Sequence, residues 1–124
     1  HAQFERFGAT QVVRRFAKAN NNRVMTAHDW ESWMTGRALV AAALAAPNGP
    51  AAAWAKALAA NELDGSKGVK MSLRPWDGQL RQPLLLTDGQ GVIGAAPADG
   101  VLHPKNTLDT LGADAPEKLC KARL

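Results

Sequence analysis

The sequence predicts an α/β chain in which three helices precede a strand, a β-hairpin and an irregular tail. Apolar side chains recur at helical spacing over the first 60 residues, whereas after residue 68 they alternate with polar ones, as in a half-buried strand. A glycine-rich turn between two short apolar runs then predicts the hairpin. We therefore expect one unit over residues 1–124, with a helical part (1–62), a hairpin part (63–97) and a tail (98–124).

The first and third helices are short. Ala9–Ala19 places apolar residues on one face and basic residues on the other, and it stops at a run of three asparagines. Ala51–Ala60 is rich in alanine and follows Pro50, a residue that suits the first turn of a helix. Trp54 and Leu58 are four residues apart, so we expect them on the same face of this third helix.

The second helix is the longest and is predicted over residues 26–46. Thr26 and Asp29 have the spacing of an N-cap pair, and Pro47 ends the helix. Gly36 costs about 1 kcal/mol relative to alanine inside a helix, so we expect it to mark close packing against a neighbouring element. The residues expected along its apolar stripe are Trp30, Trp33, Met34, Arg37, Ala38, Ala41 and Leu44.

The pattern changes after the third helix. Residues 63–68 are rich in turn formers and are predicted to be a loop, and residues 69–74 are predicted to be a strand. The hairpin strands are expected over residues 82–87 and Val92–Ala96, with Pro83 at an edge or entry position because proline cannot donate to a sheet.

Composition is typical of a globular chain, with 46% hydrophobic and 21% charged residues and a net charge of +4. The basic residues are spread from Arg6 to Arg123, so we expect no nucleic-acid partner. No apolar run is long enough for a membrane insertion, and no export signal is evident, so we expect any targeting segment to lie upstream or to have been removed. Cys120, the single cysteine, is either an inert thiol or has its partner elsewhere in a parent chain.

Catalytic and metal-binding patterns are weak. His28, Asp29 and Glu31 lack the i, i+4 spacing of a ligand pair and are best interpreted as a polar helix start. His103 adjoins a proline in the tail and is expected to be exposed or bonded to the backbone. Turn-forming roles account for the aspartates at positions 77, 88, 109 and 114. We therefore predict no enzyme activity, no metal site and no bound cofactor.

Two stretches carry a family resemblance. The first runs through W-D-G-Q-L-R-Q-P-L-L-L-T-D-G-Q-G-V-I at residues 76–93, and the second is H-P-K-N-T-L-D-T-L-G at residues 103–112. Together they resemble the C-terminal part of type 1 periplasmic solute-binding proteins, the Leu/Ile/Val-binding-like substrate-binding family of ABC transporters. The resemblance is to the branch found beside pyrroloquinoline quinone (PQQ)-dependent alcohol oxidation, and the match is strongest over residues 74–86 and 102–112.

This resemblance implies a partial type 1 periplasmic-binding-protein fold and a periplasmic location. It implies capture of a small molecule linked to PQQ-dependent alcohol oxidation, with PQQ itself as a possible ligand, and docking to the membrane component of an ABC transporter. Because such proteins have two lobes, we expect apolar faces that drive association, as a homodimer or with a complementary chain. The alternative is an accessory or interaction subunit of a quinoprotein dehydrogenase system, without a transport role.

Five residues are the candidates for ligand contacts. Trp30, Trp33 and Trp76 could stack on a planar ligand, and Arg74 or Arg81 could pair with its carboxylates. Helical spacing favours a core role over ligand contact for Trp30 and Trp33, and Arg81 equally suits an ordinary surface position beside a strand. The resemblance further implies that most ligand contacts come from other parts of such proteins.

Overall fold

The computed structural model describes residues 4–117 and has a mixed α/β architecture. The helices are α1 (Ala9–Ala19), α2 (Ala27–Ala45) and α3 (Ala51–Ala60). The strands are β1 (Leu63–Asp64), β2 (Lys70–Met71), β3 (Leu84–Thr87) and β4 (Val92–Ala96). Two short 3-10 helices, Thr107–Thr110 and Ala115–Glu117, follow in the tail. The three predicted helices are confirmed, and the strands form two separate antiparallel pairs, β1 with β2 and β3 with β4.

Helix α2 begins with the predicted cap. The Thr26 hydroxyl accepts a hydrogen bond from the Asp29 backbone N–H (3.3 Å), and the Asp29 carboxylate accepts one from the Thr26 backbone N–H (2.8 Å). Both carboxylate oxygens also accept from the Arg23 guanidinium, at 2.7 and 2.8 Å. These donors, the arginine first, hold the pKa of Asp29 well below its ordinary value. The start of α2 is therefore fixed by local sequence.

The first strand pair departs from the prediction. Residues 63–68 were expected to be a loop, but β1 lies within them and pairs with β2 so that Leu63 faces Met71. The strand predicted over residues 69–74 shortens to Lys70–Met71, followed by one isolated bridge between Leu73 and Leu80. A two-residue strand is too short to show an alternating pattern, and it forms here because its apolar side chain enters the core.

The β3–β4 hairpin is confirmed, although β3 begins at Leu84 and not at residue 82. Pro83 precedes the ladder because it has no N–H to contribute to it. In the turn, the Asp88 carboxylate accepts hydrogen bonds from the backbone N–H groups of Gln90 and Gly91, each at 2.9 Å. The turn-forming role expected for Asp88 is therefore confirmed.

The core lies between the first half of α2 and the β1–β2 pair, with apolar side chains of α1 packed against it. Its buried residues are Met25, Trp30, Met34, Leu63 and Met71. Most of the expected apolar stripe of α2 faces this core: Trp30 and Met34 are buried in it, and Trp33, Ala38 and Ala41 pack against it. Two members of the stripe do not. Leu44, near its end, is 76% exposed, and Arg37 is exposed as well.

Gly36 also differs from expectation. It is exposed, and a Cβ added to it would meet nothing within 4 Å, so the expected close packing is wrong. Gly65 is the glycine that permits a close approach: a Cβ there would lie 2.6 Å from the Met71 methyl group and 2.8 Å from the Trp30 ring. The tight contact in this core therefore lies in the loop after β1.

We predict that Gly36→Ala stabilises the protein by about 1 kcal/mol, because alanine lowers the backbone entropy lost in a helix and meets no neighbour here. Urea denaturation followed by circular dichroism measures the change in the free energy of unfolding. Gly65→Ala is the matched control and should destabilise, since its methyl group has no space. A destabilising Gly36→Ala variant would contradict the placement of α2.

Candidate functional site

Arg81 and Asp109 form a two-point ion pair between the segment that leads into β3 and the tail. Arg81 Nε donates to Asp109 Oδ1 at 2.7 Å, and Arg81 Nη2 donates to Oδ2 at 2.9 Å. Asp109 is 4% exposed and lies in the short 3-10 helix Thr107–Thr110 of the tail. Paired guanidinium donors are among the strongest hydrogen bonds that a carboxylate accepts. The pair therefore attaches the tail to the residues before β3.

The arginine hydrogen bonds hold the pKa of Asp109 below its ordinary value, with further lowering by the charges of Arg81, Arg74 and His103. Burial opposes this shift. Because the carboxylate is favoured in its charged form, the pair stabilises the fold above the ordinary aspartate pKa. That stabilisation is lost as pH falls through the lowered value.

Arg74 is the largest fully buried side chain together with Met71, and it also binds the tail. Its Nη1 donates to the Ala113 carbonyl oxygen at 2.7 Å, and its Nη2 donates to the carbonyl oxygen of Leu111. Its Nε makes no hydrogen bond and lies 3.4 Å from Asp109 Oδ1, an ion-pair contact. A buried cation is tolerated only where carbonyl dipoles and carboxylates replace water. These partners therefore account for the burial of Arg74.

Trp76 completes this contact. Its indole N–H donates to the Ala113 carbonyl oxygen at 3.1 Å. The guanidinium carbons of Arg74 and Arg81 lie 5.5 and 5.4 Å from the Trp76 ring, within the range of cation–π attraction. Gly112 passes beside them with φ +97°, and a Cβ there would lie 2.9 Å from Arg74 Nη2. Only glycine suits this backbone and this close approach.

We call this cluster of Arg74, Trp76, Arg81 and Asp109 the tail anchor. Three of the five predicted ligand residues therefore lie together, and each has partners within its own chain. The aspartate, expected to serve a turn, instead accepts both bonds from Arg81. Sequence reasoning gave it no site role, because nothing at position 109 indicates an arginine 28 positions earlier.

His103 supports the same tail from within. Its Nδ1 accepts from the backbone N–H groups of Lys105 (3.3 Å) and Asn106 (3.4 Å), and its Nε2 lies 3.4 Å from Asp114 Oδ2. Its own backbone N–H donates to the Thr110 hydroxyl at 2.8 Å. The expected backbone-bonded role of His103 is therefore confirmed.

Trp30, the fourth predicted ligand residue, lies in the core at 4% exposure. Its indole N–H donates to the Gly65 carbonyl oxygen at 3.1 Å, and the Lys67 ammonium lies 4.0 Å from the centre of its ring. Lys67 also donates to Gln82 Oε1 (2.6 Å) and to the Pro83 carbonyl oxygen (3.2 Å). Burial lowers the pKa of Lys67 to about 8, with Glu31 opposing the shift. The alternative prediction of a core role therefore describes Trp30.

Trp33, the fifth, is partly buried and lines a cavity of about 450 Å³ between α1 and α2. The Arg37 guanidinium carbon lies 5.1 Å from its ring centroid, and Arg15 lines the same cavity from α1. No residue of the tail anchor lines this cavity, so Trp33 and the tail anchor do not share a site. The sequence does not predict this cavity. It places Arg15 on α1 and Trp33 on α2, but it does not show that the two helices bring these residues to one cavity.

An apolar cleft of about 290 Å³ lies on another side of α2. Trp30, Met34 and Ala38 of α2 form one wall, and Leu58 of α3 with Leu80 contributes to the opposite side. Leu58 therefore lines a cleft instead of completing a sealed core. Its walls offer apolar contact and few polar groups to orient a ligand.

Residues 4–117 contain no group of three or more His, Cys, Asp or Glu side chains arranged to hold a metal ion. Within the same residues, no helix combines the length and the apolar character needed to cross a membrane. The hypotheses about Cys120 concern a position outside the described residues.

We predict that Arg81→Gln and Asp109→Asn are energetically coupled by about 1–2 kcal/mol in a double-mutant cycle, because each variant removes the same two-point ion pair. Residual solvent contact at Arg81 keeps the expected value below that of a fully buried pair. Chemical denaturation of the four proteins of the cycle measures it.

Arg37→Gln is the control partner and should be additive with Asp109→Asn, since it lies on α2 outside the tail anchor. The coupling should also diminish below about pH 4, where the aspartate of the unfolded chain is protonated. Additive effects of Arg81→Gln and Asp109→Asn at neutral pH would show that the ion pair is not formed in solution.

Comparison of the chain with protein-family models, with curated proteins and with solved structures finds no match. Its functional interpretation therefore starts from the contacts described above.

Proposed function

We propose that this chain is a periplasmic solute-binding component, or a fragment of one, that serves an ABC transporter. In this proposal it captures a small molecule linked to PQQ-dependent alcohol oxidation and adopts part of a type 1 periplasmic-binding-protein fold. One observation supports it above all: the two stretches that carry the resemblance contact each other through Arg81 and Asp109.

This contact matters because it explains why both stretches would recur together. Within residues 74–86 and 102–112, Arg81 and Arg74 lie against Asp109, and Arg74 also donates to the Leu111 carbonyl oxygen. Trp76 donates to the carbonyl oxygen of Ala113, which directly follows the second stretch. Because the two stretches bind each other, their resemblance to the family supports a similar fold more strongly than it supports a similar ligand. The ligand of such a protein would accordingly contact other surfaces.

The distribution of apolar side chains also supports a place within a larger assembly. Leu39, Val40 and Leu44, all in the second half of α2, are 49%, 59% and 76% exposed. Monomeric proteins seldom leave extended apolar areas uncovered. The other lobe of a binding protein would cover such faces, and so would a dehydrogenase if the chain is instead an accessory subunit. Both proposals assign the chain a non-catalytic role.

The transport proposal predicts that PQQ, acetate or leucine raises the melting temperature of the full chain or of its complex. A ligand that binds only the folded state contributes about 2.7 kcal/mol at a hundredfold excess over its dissociation constant. Differential scanning fluorimetry with each compound, and with glycerol as an uncharged control, measures this shift.

Light scattering on the same samples separates the two proposals. A ligand-dependent shift would support solute capture. Absence of any shift, combined with association into a defined complex with a quinoprotein dehydrogenase, would replace it with the accessory role. A stable, monodisperse monomer without a shift would contradict both proposals.

A further inference from the structure

We infer that the cavity between α1 and α2 is a binding site for a planar aromatic monocarboxylate. The residues that carry this inference are Phe7, Arg15, Phe16, Trp33, Arg37 and Asp64, all of which line the cavity. Its volume of about 450 Å³ lies within the range of small-molecule sites. The inference is independent of the proposed transport role, because the tail anchor contributes nothing to this cavity.

Two cations are available to an anionic ligand here. Among the described residues, neither Arg15 nor Arg37 has a carboxylate partner, whereas Arg23, Arg74 and Arg81 all do. A single unpaired surface arginine is ordinary. Two that come from different helices and line one concavity offer guanidinium N–H donors from two parts of the chain, a set that suits a carboxylate.

Aromatic rings supply the second part of the site. Phe16 and Trp33 line the cavity from α1 and α2, and each ring has an arginine guanidinium near it. Arg23 lies 4.7 Å from the Phe16 centroid and is fixed by its bonds to Asp29. Aromatic walls favour a flat, apolar body, because rings stack in offset or edge-to-face geometry.

Asp64 limits the charge of the ligand. It lines the same cavity as the two arginines, and its Oδ1 accepts a hydrogen bond from the Ser66 backbone N–H at 2.8 Å. Two cations and one anion leave a net charge of +1, which matches a monocarboxylate. A second carboxylate on the ligand would meet repulsion from Asp64.

The test uses 2-naphthoate as the probe and ¹H–¹⁵N NMR of the full chain as the readout. The chain has four tryptophans, so four indole N–H signals report on four places. Saturable binding should shift the Trp33 indole signal, assigned with Trp33→Phe, and leave that of Trp76 in place. Loss of one arginine contact should raise the dissociation constant by about tenfold for Arg37→Gln and for Arg15→Gln.

Arg14→Gln is the matched control, because Arg14 neighbours Arg15 on α1 but does not line the cavity. It should leave the dissociation constant unchanged. Asp64→Asn keeps an oxygen for the Ser66 N–H and should tighten binding. Equal weakening by Arg14→Gln, a shift confined to other indole signals, or no saturable binding would each overturn the inference.

Discussion

Two positively charged side chains, Arg74 and Arg81, lie against the tail. Arg81 donates hydrogen bonds to Asp109, and Arg74 donates to the carbonyl oxygens of Leu111 and Ala113. Neither side of this contact can be removed without consequence, because an unpaired buried charge costs several kcal/mol. The tail contains two short 3-10 helices and belongs to neither sheet. Its position therefore depends on this charge network.

The residues of this network are also the ones that suggest a ligand site in the sequence. Arginine and tryptophan close together in a sequence are an ordinary sign of recognition, since they bind carboxylates and stack on rings. Here Arg74, Trp76 and Arg81 perform those same interactions within the chain. Their donors bond to Asp109 and to carbonyl groups of the tail. Arg15 and Arg37 have no carboxylate partner among residues 4–117, which is why the cavity beside Trp33 is the stronger candidate for binding an anion.

The sequence predicts those elements of the fold that depend on interactions between neighbouring residues. The bounds of α1 and α3 follow from helical periodicity, and the start of α2 follows from the Thr26 capping box. The β1–β2 pair was missed because two residues show no period, and the tail anchor was missed because backbone carbonyls, which accept the Arg74 donors, leave no mark in a sequence. The close approach of Gly112 to Arg74 was missed for a similar reason, since a glycine in a tail cannot be told from an ordinary turn residue by sequence.

The most direct test of this account is hydrogen exchange at the amides of Asp109 and Leu111, both of which donate within the tail. The tail anchor predicts measurable protection in the wild-type chain and its loss in Arg74→Met, while the amides of α1 keep theirs. Tail amides that exchange freely in the wild-type chain, or that are equally protected in Arg74→Met, would contradict the dependence of the tail on the buried arginine.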